Sequence, residues 1–194
     1  MIFEVHKGYG LNQVIDHLYE QKVIKRPLLF KLYGKVSKES KNIQAGEYQI
    51  LKNDNPLSLI KKISNGSIYY RQIRLKEGST FNELLRVLKN NPYISKEPPI
   101  KDLSVIYSHL KLNLGSLEGL FFPDTYNYKK GDSYLTILER AYSKQQLILN
   151  EMWALRNLGL PYKNSYEALI LASIIEKEGL EKTEIAGVFV RRLQ

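Results

Sequence analysis

The feature of this chain that most constrains its fold is a local pattern that occurs twice. The segment EVHKGYGLNQVIDHL, which starts at Glu4, is matched by RLKEGSTFNELLRVL, which starts at Arg74. Each copy places a predicted strand before a charged residue and a glycine, and then begins a helix close to Asn12 or Asn82. The pattern predicts small strand–turn–helix modules. It fits either duplication of one unit or two independent solutions to starting a helix.

The composition limits the kinds of site that the chain can carry. At 194 residues and 43% hydrophobic content, the chain is long enough to bury a core, and its apolar runs are shorter than the ~18–20 residues that cross a bilayer. Cysteine is absent, which excludes disulfides and thiolate metal sites. Three histidines, His6, His17 and His109, lie far apart in the sequence. No metal site and no cofactor is therefore expected.

The charge of the chain points to an anionic partner. The 29 Lys and Arg residues exceed the 20 Asp and Glu residues and give a net charge of +9. Such an excess favours nucleic acid, an acidic membrane surface or an acidic polymer. Helix-turn-helix, zinc-finger and RNP signatures are absent from the sequence, so no nucleic-acid partner is expected.

The pattern of predicted elements changes along the chain and indicates an α+β fold. Residues 1–68 alternate short strands with helices that begin at Leu11, Pro27 and Pro56. Residues 69–116 hold the second strand–helix unit and a loop-rich linker. Residues 117–194 begin with the aromatic segment LEGLFFPDTYNY and continue into a long amphipathic helix and a helix that contains LASIIEKEG.

The helix that ends in EKE carries two candidate acids. It is predicted to start at Asn164 with Glu167 in a capping box, and to stop after Glu178 with Gly179 in a left-handed conformation. At about 100° per residue, Glu178 falls inside the apolar arc of the helix, whereas Glu176 falls near its edge. Glu178 is therefore predicted to be the inward acid.

An inward Glu178 would suit a general acid. Burial and the negative end of the helix dipole both raise the pKa of a carboxyl group, and a raised pKa is what proton donation near neutral pH requires. The alternative is that the helix end frays, and that Glu178 turns to water or pairs with a lysine such as Lys182. Periodicity alone leaves both interpretations open.

The order of motifs across the chain resembles the YceG-like family of endolytic murein transglycosylases. LEGLFFPDTY precedes ASIIEKE, which is followed by IAGVFVRRL, and the segments AGEY, SNG and EGST lie upstream of all three. The resemblance covers essentially the whole chain. It implies a LysM-like module over residues 1–68, the second unit and linker over 69–116, and a mainly helical lysozyme-like catalytic domain over 117–194 that is incomplete at its C-terminal end.

The resemblance also implies a chemistry for the two glutamates. The family's catalytic acid is the second glutamate of EKE, which is Glu178 here. Glu118, Asp124 and Tyr126 become candidates for contact with the substrate, and a role in propping the aromatic turn is the equal alternative. Glu176 is a further candidate for sugar or peptide contact, although a surface charge is the favoured interpretation.

The implied substrate is nascent peptidoglycan, which is cleaved between N-acetylmuramic acid and N-acetylglucosamine with formation of 1,6-anhydromuramyl ends. The implied location is the extracytoplasmic face of a bacterial cytoplasmic membrane, with a membrane tether that this chain lacks. Proteins of cell-wall synthesis are further expected partners. A non-catalytic wall-binding or scaffold protein is the alternative function.

Overall fold

The computed structural model describes residues 1–36, 42–113, 115–179 and 181–193. The chain divides into two compact units, Met1–Arg71 and Gln72–Gln194. The predicted α+β character is confirmed, because helices and small two-stranded sheets are both present. Within the described residues, none of the helices is long and apolar enough to cross a membrane.

The first unit contains one sheet and three helices. Strand β1 (Ile2–Val5) pairs antiparallel with β2 (Gly46–Gln49), so that Ile2 lies opposite Gln49. The helices are α1 (Leu11–Glu20), α2 (Pro27–Val36) and α3 (Pro56–Ser64), which begin where the sequence predicts. The apolar faces of α1 and α3 close on the sheet, Phe30 of α2 packs against the same core, and the fully buried side chains include Phe3, Val5, Val14, Ile15, Leu18, Tyr48, Ile60 and Ile63.

The second unit is mainly helical and has its own core. Strand β3 (Arg71–Arg74), which begins at the last residue of the first unit, pairs with β4 (Thr125–Tyr128). The helices are α4 (Phe81–Asn90), α5 (Leu103–Leu110), α6 (Tyr134–Ala154), α7 (Ser165–Glu178) and α8 (Lys182–Leu193). Helix α5 lies inside the segment predicted to be a loop-rich linker. Asp102 caps it through the Ser104 N–H, and Ile106 anchors it in the core, so the segment is ordered by tertiary packing that its sequence alone does not signal.

The predicted repeat is confirmed as a repeat of local structure. Gly8 and Gly78 occupy equivalent turn positions with φ of +89° and +67°, a region that glycine enters without steric cost. Gly10 and Thr80 are the N-caps of α1 and α4. In each helix the side chain of the third residue, Gln13 or Glu83, accepts a hydrogen bond from the backbone N–H of the cap residue. The same sequence positions therefore perform the same structural task in each unit.

A buried ion pair stabilises the first unit. The Arg71 guanidinium donates from Nε and from one Nη to the two carboxylate oxygens of Glu47, each at 2.9 Å. The Glu47 side chain is only 7% exposed and that of Arg71 19%. Such a bidentate pair is costly to break, because the group left behind is a charge with little access to water.

Replacing Glu47 with Gln is therefore expected to lower the free energy of unfolding by roughly 3 kcal/mol, since it removes the carboxylate charge that faces the Arg71 guanidinium. Urea unfolding followed by circular dichroism measures the change. Glu77→Gln is the matched control, because the Glu77–Arg74 pair is exposed on both sides and should matter little. Equal effects of the two substitutions would contradict a dominant role for the buried pair.

Candidate active site

Helix α7, which carries the EKE motif, starts as the sequence predicts. Its N-cap is Asn164, whose side-chain oxygen accepts from the N–H of Glu167 at 2.9 Å. The Glu167 carboxylate accepts from the N–H of Lys163 at 2.8 Å and not from the N–H of the cap residue. The asparagine cap therefore fixes the helix start. Glu167 bonds to the N–H one residue before the cap, whereas in a standard capping box it would bond to the N–H of the cap itself.

The end of α7 differs from the prediction. Gly179 follows Glu178 directly, as expected, but its backbone is extended, with φ of 161° and ψ of −167°. The predicted left-handed glycine stop is wrong. The next helix, α8, begins at Lys182, three residues after Gly179, and packs against α7, so Gly179 leads directly from one helix toward the other and does not form a left-handed cap.

The predicted inward position of Glu178 is also wrong in the described structure. Among the residues of α7, all of which the structure describes, Leu171 alone is buried, and Ile174, three residues further along, is 39% exposed. Glu178 is itself exposed. Helical periodicity predicts an apolar side of α7, but in the structure only Leu171 on that helix is fully buried, and the side is open at the Glu178 end.

Two adjoining grooves lie beside α7 in the second unit. The polar groove, of about 410 Å³, is lined by Gly78, Ser79, Thr80, Glu118, Gly119, Ser173, Ile174, Lys177 and Glu178. The apolar groove, of about 470 Å³, shares Gly78, Ser79, Gly119 and Ser173, and adds residues that include Phe121, Phe122, Leu149, Met152, Leu169 and Glu176. The two acids of EKE therefore line different grooves.

Glu176 is held by an ion pair at the edge of the apolar groove. Its carboxylate lies 2.5 Å from the Lys182 ammonium at the start of α8. The alternative predicted from the sequence has Lys182 as an ion-pair partner for Glu178. In the structure Lys182 pairs with Glu176 instead. The ion pair agrees with the favoured interpretation of Glu176 as a structural charge. Glu176 also lines the apolar groove, where a bound substrate would lie within its reach.

Glu118 lies in the polar groove with Glu178 and has a structural partner. Its carboxylate accepts from the N–H of Phe81, the first residue of α4, at 2.8 Å. The ring of Phe81 stacks on that of Phe121 with centroids 5.3 Å apart. Glu118 thus fixes the aromatic turn to the start of α4, and the side chain is itself exposed toward the groove.

Asp124 belongs to a different part of the surface and does not line either groove. Its carboxylate pairs with Lys144 on α6 and accepts from the N–H of Thr125 at 2.6 Å. The hydrogen bond from Lys144, followed by the one from Thr125, lowers the pKa of Asp124 below its ordinary value. The Lys144 ammonium also lies 5.0 Å from the centroid of the Phe122 ring. Asp124 therefore anchors the aromatic turn to α6.

Tyr126 is a core residue in this structure. Its side chain is buried in the cluster around β4 and α6, and its hydroxyl donates to the carbonyl oxygen of Phe122 at 2.7 Å. Burial, assisted by the nearby Asp124 charge, raises the pKa of Tyr126 to about 12. This position favours the predicted alternative role, which is support of the aromatic turn, over contact with a substrate.

Sequence reasoning missed the polar side chains of the turn before α4. Ser79 and Thr80 line the polar groove with Glu178, and Ser173 lines both grooves. Thr80 and Glu83 form a capping box, whose hydrogen bonds from the Thr80 N–H and hydroxyl lower the pKa of Glu83. The EGST motif is the signal for this turn, but a sequence pattern does not reveal that α7 lies next to it.

Comparison with known proteins places the chain in a family. The YceG-like family matches residues 3–194, which is nearly the entire sequence. The chain belongs to the YceG-like family.

Two relatives of this YceG-like chain extend the comparison. The endolytic murein transglycosylase of Bacillus subtilis (strain 168) is 26% identical over 210 aligned residues, which cover 98% of this chain and 58% of the relative. A crystal structure described as that of a yceG-like protein from Listeria monocytogenes has a TM-score of 0.45 and 22% identity, and the match covers 99% of this chain and 69% of that one. The chain therefore spans less than two thirds of the length of the curated relative.

The Asp124–Lys144 pair makes a testable prediction about pH. Because the pKa of Asp124 is lowered in the folded chain, the pair stabilises the fold above the ordinary aspartate pKa of 3.8, and the contribution is lost as the pH falls through the lowered pKa. Lys144→Gln should therefore raise the pKa of Asp124 and lower the unfolding temperature at pH 7. The deficit should shrink as the solution is acidified to about pH 2.

Carbon-13 NMR titration of the Asp124 carboxyl group and thermal unfolding at several pH values measure these effects. The control is Lys89→Gln, which removes an exposed lysine on α4. An Asp124 pKa that is the same with and without Lys144 would refute the assignment.

Proposed function

We propose that this YceG-like chain is part of an endolytic peptidoglycan lytic transglycosylase, and that Glu178 is its catalytic acid. The observation that carries the proposal is that Glu178 lines an open groove at the end of α7, together with the Glu118 carboxylate and hydroxyl side chains. Family membership and the name of the Bacillus subtilis relative support a murein substrate. The enzyme acts outside the cytoplasmic membrane, where that substrate lies.

The grooves beside α7 have the character that a glycan strand requires. Ser79, Thr80 and Ser173 line the polar groove, and Phe121 and Phe122 line the apolar groove with aromatic surface. In the free chain the Thr80 and Ser173 hydroxyls donate to the Glu83 carboxylate and the Ile170 carbonyl oxygen, so they would accept from a sugar hydroxyl or exchange these partners for one. Sugars bind through hydroxyl hydrogen bonds and through packing of their apolar ring faces on aromatic side chains. A strand that runs along α7 would pass Glu176 and reach Glu178.

Glu178 performs both proton transfers in the proposed reaction. In its protonated form it donates to the glycosidic oxygen between N-acetylmuramic acid and N-acetylglucosamine as the bond from that oxygen to the muramyl C1 breaks. The resulting carboxylate then takes the proton from the muramyl C6 hydroxyl, whose oxygen bonds to C1 and closes a 1,6-anhydro ring. The acid is regenerated, and no water is consumed.

The exposure of Glu178 in the free chain is compatible with this role. A glycan strand that fills the polar groove excludes water from the carboxyl group, and exclusion of water favours the protonated form of such a group. The cation-like transition state at C1 is stabilised by negative or polar groups nearby, although the reaction requires no second carboxylate as nucleophile. Glu118 is suited to this task, because its bond to the Phe81 N–H fixes its position and leaves one carboxylate oxygen without a described partner.

The proposal also assigns a role to each part of the chain. The first unit is a LysM-like module that holds the glycan, and residues 117–194 belong to a lysozyme-like catalytic domain. Cell-wall synthesis proteins are partners of the whole enzyme.

A second candidate function is non-catalytic binding of peptidoglycan. The observation that favours it is the exposure of Glu178, since a carboxyl group in water is a poor proton donor near neutral pH. In that case the grooves hold glycan and no bond is cleaved.

Digestion of purified peptidoglycan, read by mass spectrometry, distinguishes these functions. The parent chain should release fragments with 1,6-anhydromuramyl ends, and Glu178→Gln should reduce the rate at least ~100-fold because the acid is lost while the shape is kept. Binding of the variant to insoluble peptidoglycan should be unchanged.

The matched control is Glu176→Gln, two residues away on the same helix and at the adjoining groove. It should retain most of the activity, because Glu176 is assigned an ion pair and no proton transfer. Fragments with reducing ends would replace the lytic mechanism with hydrolysis. Binding without any product from the parent chain would establish the second candidate.

A further inference from the structure

Helix α2 of the first unit presents three leucines to solvent. Leu28 is 79% exposed, Leu29 57% and Leu32 64%. At about 100° per residue these positions fall within one arc of about 100° on the helix surface. The leucines form a continuous apolar strip, called the α2 leucine strip below. An exposed strip of this kind marks an interaction surface more often than isolated exposed residues do.

The strip is held outward by contacts on the other side of α2. Phe30 packs against the core of the first unit, and the Lys31 ammonium lies 2.5 Å from the Asp16 carboxylate on α1. These two contacts fix the rotation of the helix about its axis. Turning the leucines inward would expose Phe30 and break the ion pair, so the exposed strip is a consequence of how α2 is packed.

The charged residues in the sequence from Gln21 to Val36, which includes α2, are all basic. The sequence from Gln21 to Val36 contains no Asp or Glu, and it includes five basic residues: Lys22, Lys25, Arg26, Lys31 and Lys35. Three of them, Lys22, Lys25 and Arg26, come just before the helix and are exposed. The acidic residue described in contact with this segment is Asp16, and Lys31 neutralises it.

We propose that the α2 leucine strip, with Lys22, Lys25 and Arg26, docks on an anionic lipid surface. Leucine side chains enter the interfacial region of a bilayer, and cationic side chains beside them bind the phosphates of the headgroups. Neither the leucines nor the basic residues would specify such a surface alone. Their combination in α2 and the residues just before it, a segment free of carboxylates, is complementary to a surface that is apolar beneath and negative on top.

This inference is independent of the proposed chemistry, because it concerns the first unit and uses no residue of the grooves. It assigns the first unit a task in addition to the glycan binding proposed above. The docking would hold the first unit at a membrane surface.

Sedimentation with vesicles tests the proposal directly, with the full chain as it exists. Vesicles of equal parts phosphatidylglycerol and phosphatidylcholine should bind the chain, and binding should fall as salt is raised from about 0.05 M to about 0.5 M. Vesicles of phosphatidylcholine alone should bind it at least ~10-fold more weakly, because the attraction to anionic headgroups is lost. Replacing Leu28, Leu29 and Leu32 together with Gln should lower binding to the anionic vesicles at least ~10-fold, because the inserted apolar area is lost.

Two further variants make the result specific. Lys25→Gln combined with Arg26→Gln should weaken binding and reduce its dependence on salt, because these charges meet the headgroups. Leu155→Gln combined with Leu158→Gln is the matched control. It removes leucines that are 78% and 88% exposed, in the other unit, and should leave binding unchanged. Circular dichroism of each variant confirms that it folds.

Three results would overturn the proposal. The first is binding of the triple leucine variant to anionic vesicles that equals binding of the parent. The second is an equal loss of binding in the control variant. The third is a parent chain that binds neither kind of vesicle, which would assign the strip to a protein partner.

Discussion

The hydrogen bond from the Phe81 N–H to the Glu118 carboxylate fixes the position of the aromatic turn that lines the grooves beside α7. It ties the start of α4 to the aromatic turn, and the stacked rings of Phe81 and Phe121 add apolar contact at the same junction. The turn is fixed from its other end by Asp124 and Lys144 on α6. With both ends secured, the turn and the start of α4 form one wall beside α7, and the EKE motif lies against a preorganised surface.

These contacts indicate which acidic residues have structural roles and which one is proposed to be catalytic. Asp124, Glu83 and Glu176 each have a cationic or N–H partner that fixes local structure, and the pKa values of Asp124 and Glu83 are lowered as a result. Glu118 is held in the same way, by the Phe81 N–H. Glu118 and Glu178 are the acids that line the polar groove, and the proposed chemistry assigns the proton transfers to Glu178.

Much of the local structure is predictable because it depends on neighbouring residues. The caps at Asn164 and Thr80 and the repeated glycine turns are encoded within a few positions. The failures concern contacts between distant segments. Periodicity identifies the apolar side of α7 but does not show that Leu171 is the one residue of that helix to be fully buried, and the loop-like composition around α5 conceals a helix that depends on Ile106. The aromatic motif singles out Tyr126, whereas the burial of that side chain depends on β4 and α6.

The central claim is that a glycan strand lies in the grooves beside α7 with the scissile bond at Glu178. The most direct measurement is a crystal structure of the inactive Glu178→Gln chain with a peptidoglycan tetrasaccharide. The account predicts a glycosidic oxygen within about 3 Å of the side-chain amide at position 178, the reach of a proton donor, with sugar rings against the aromatic turn. A tetrasaccharide bound only in the first unit, with the grooves empty at saturating concentration, would contradict it.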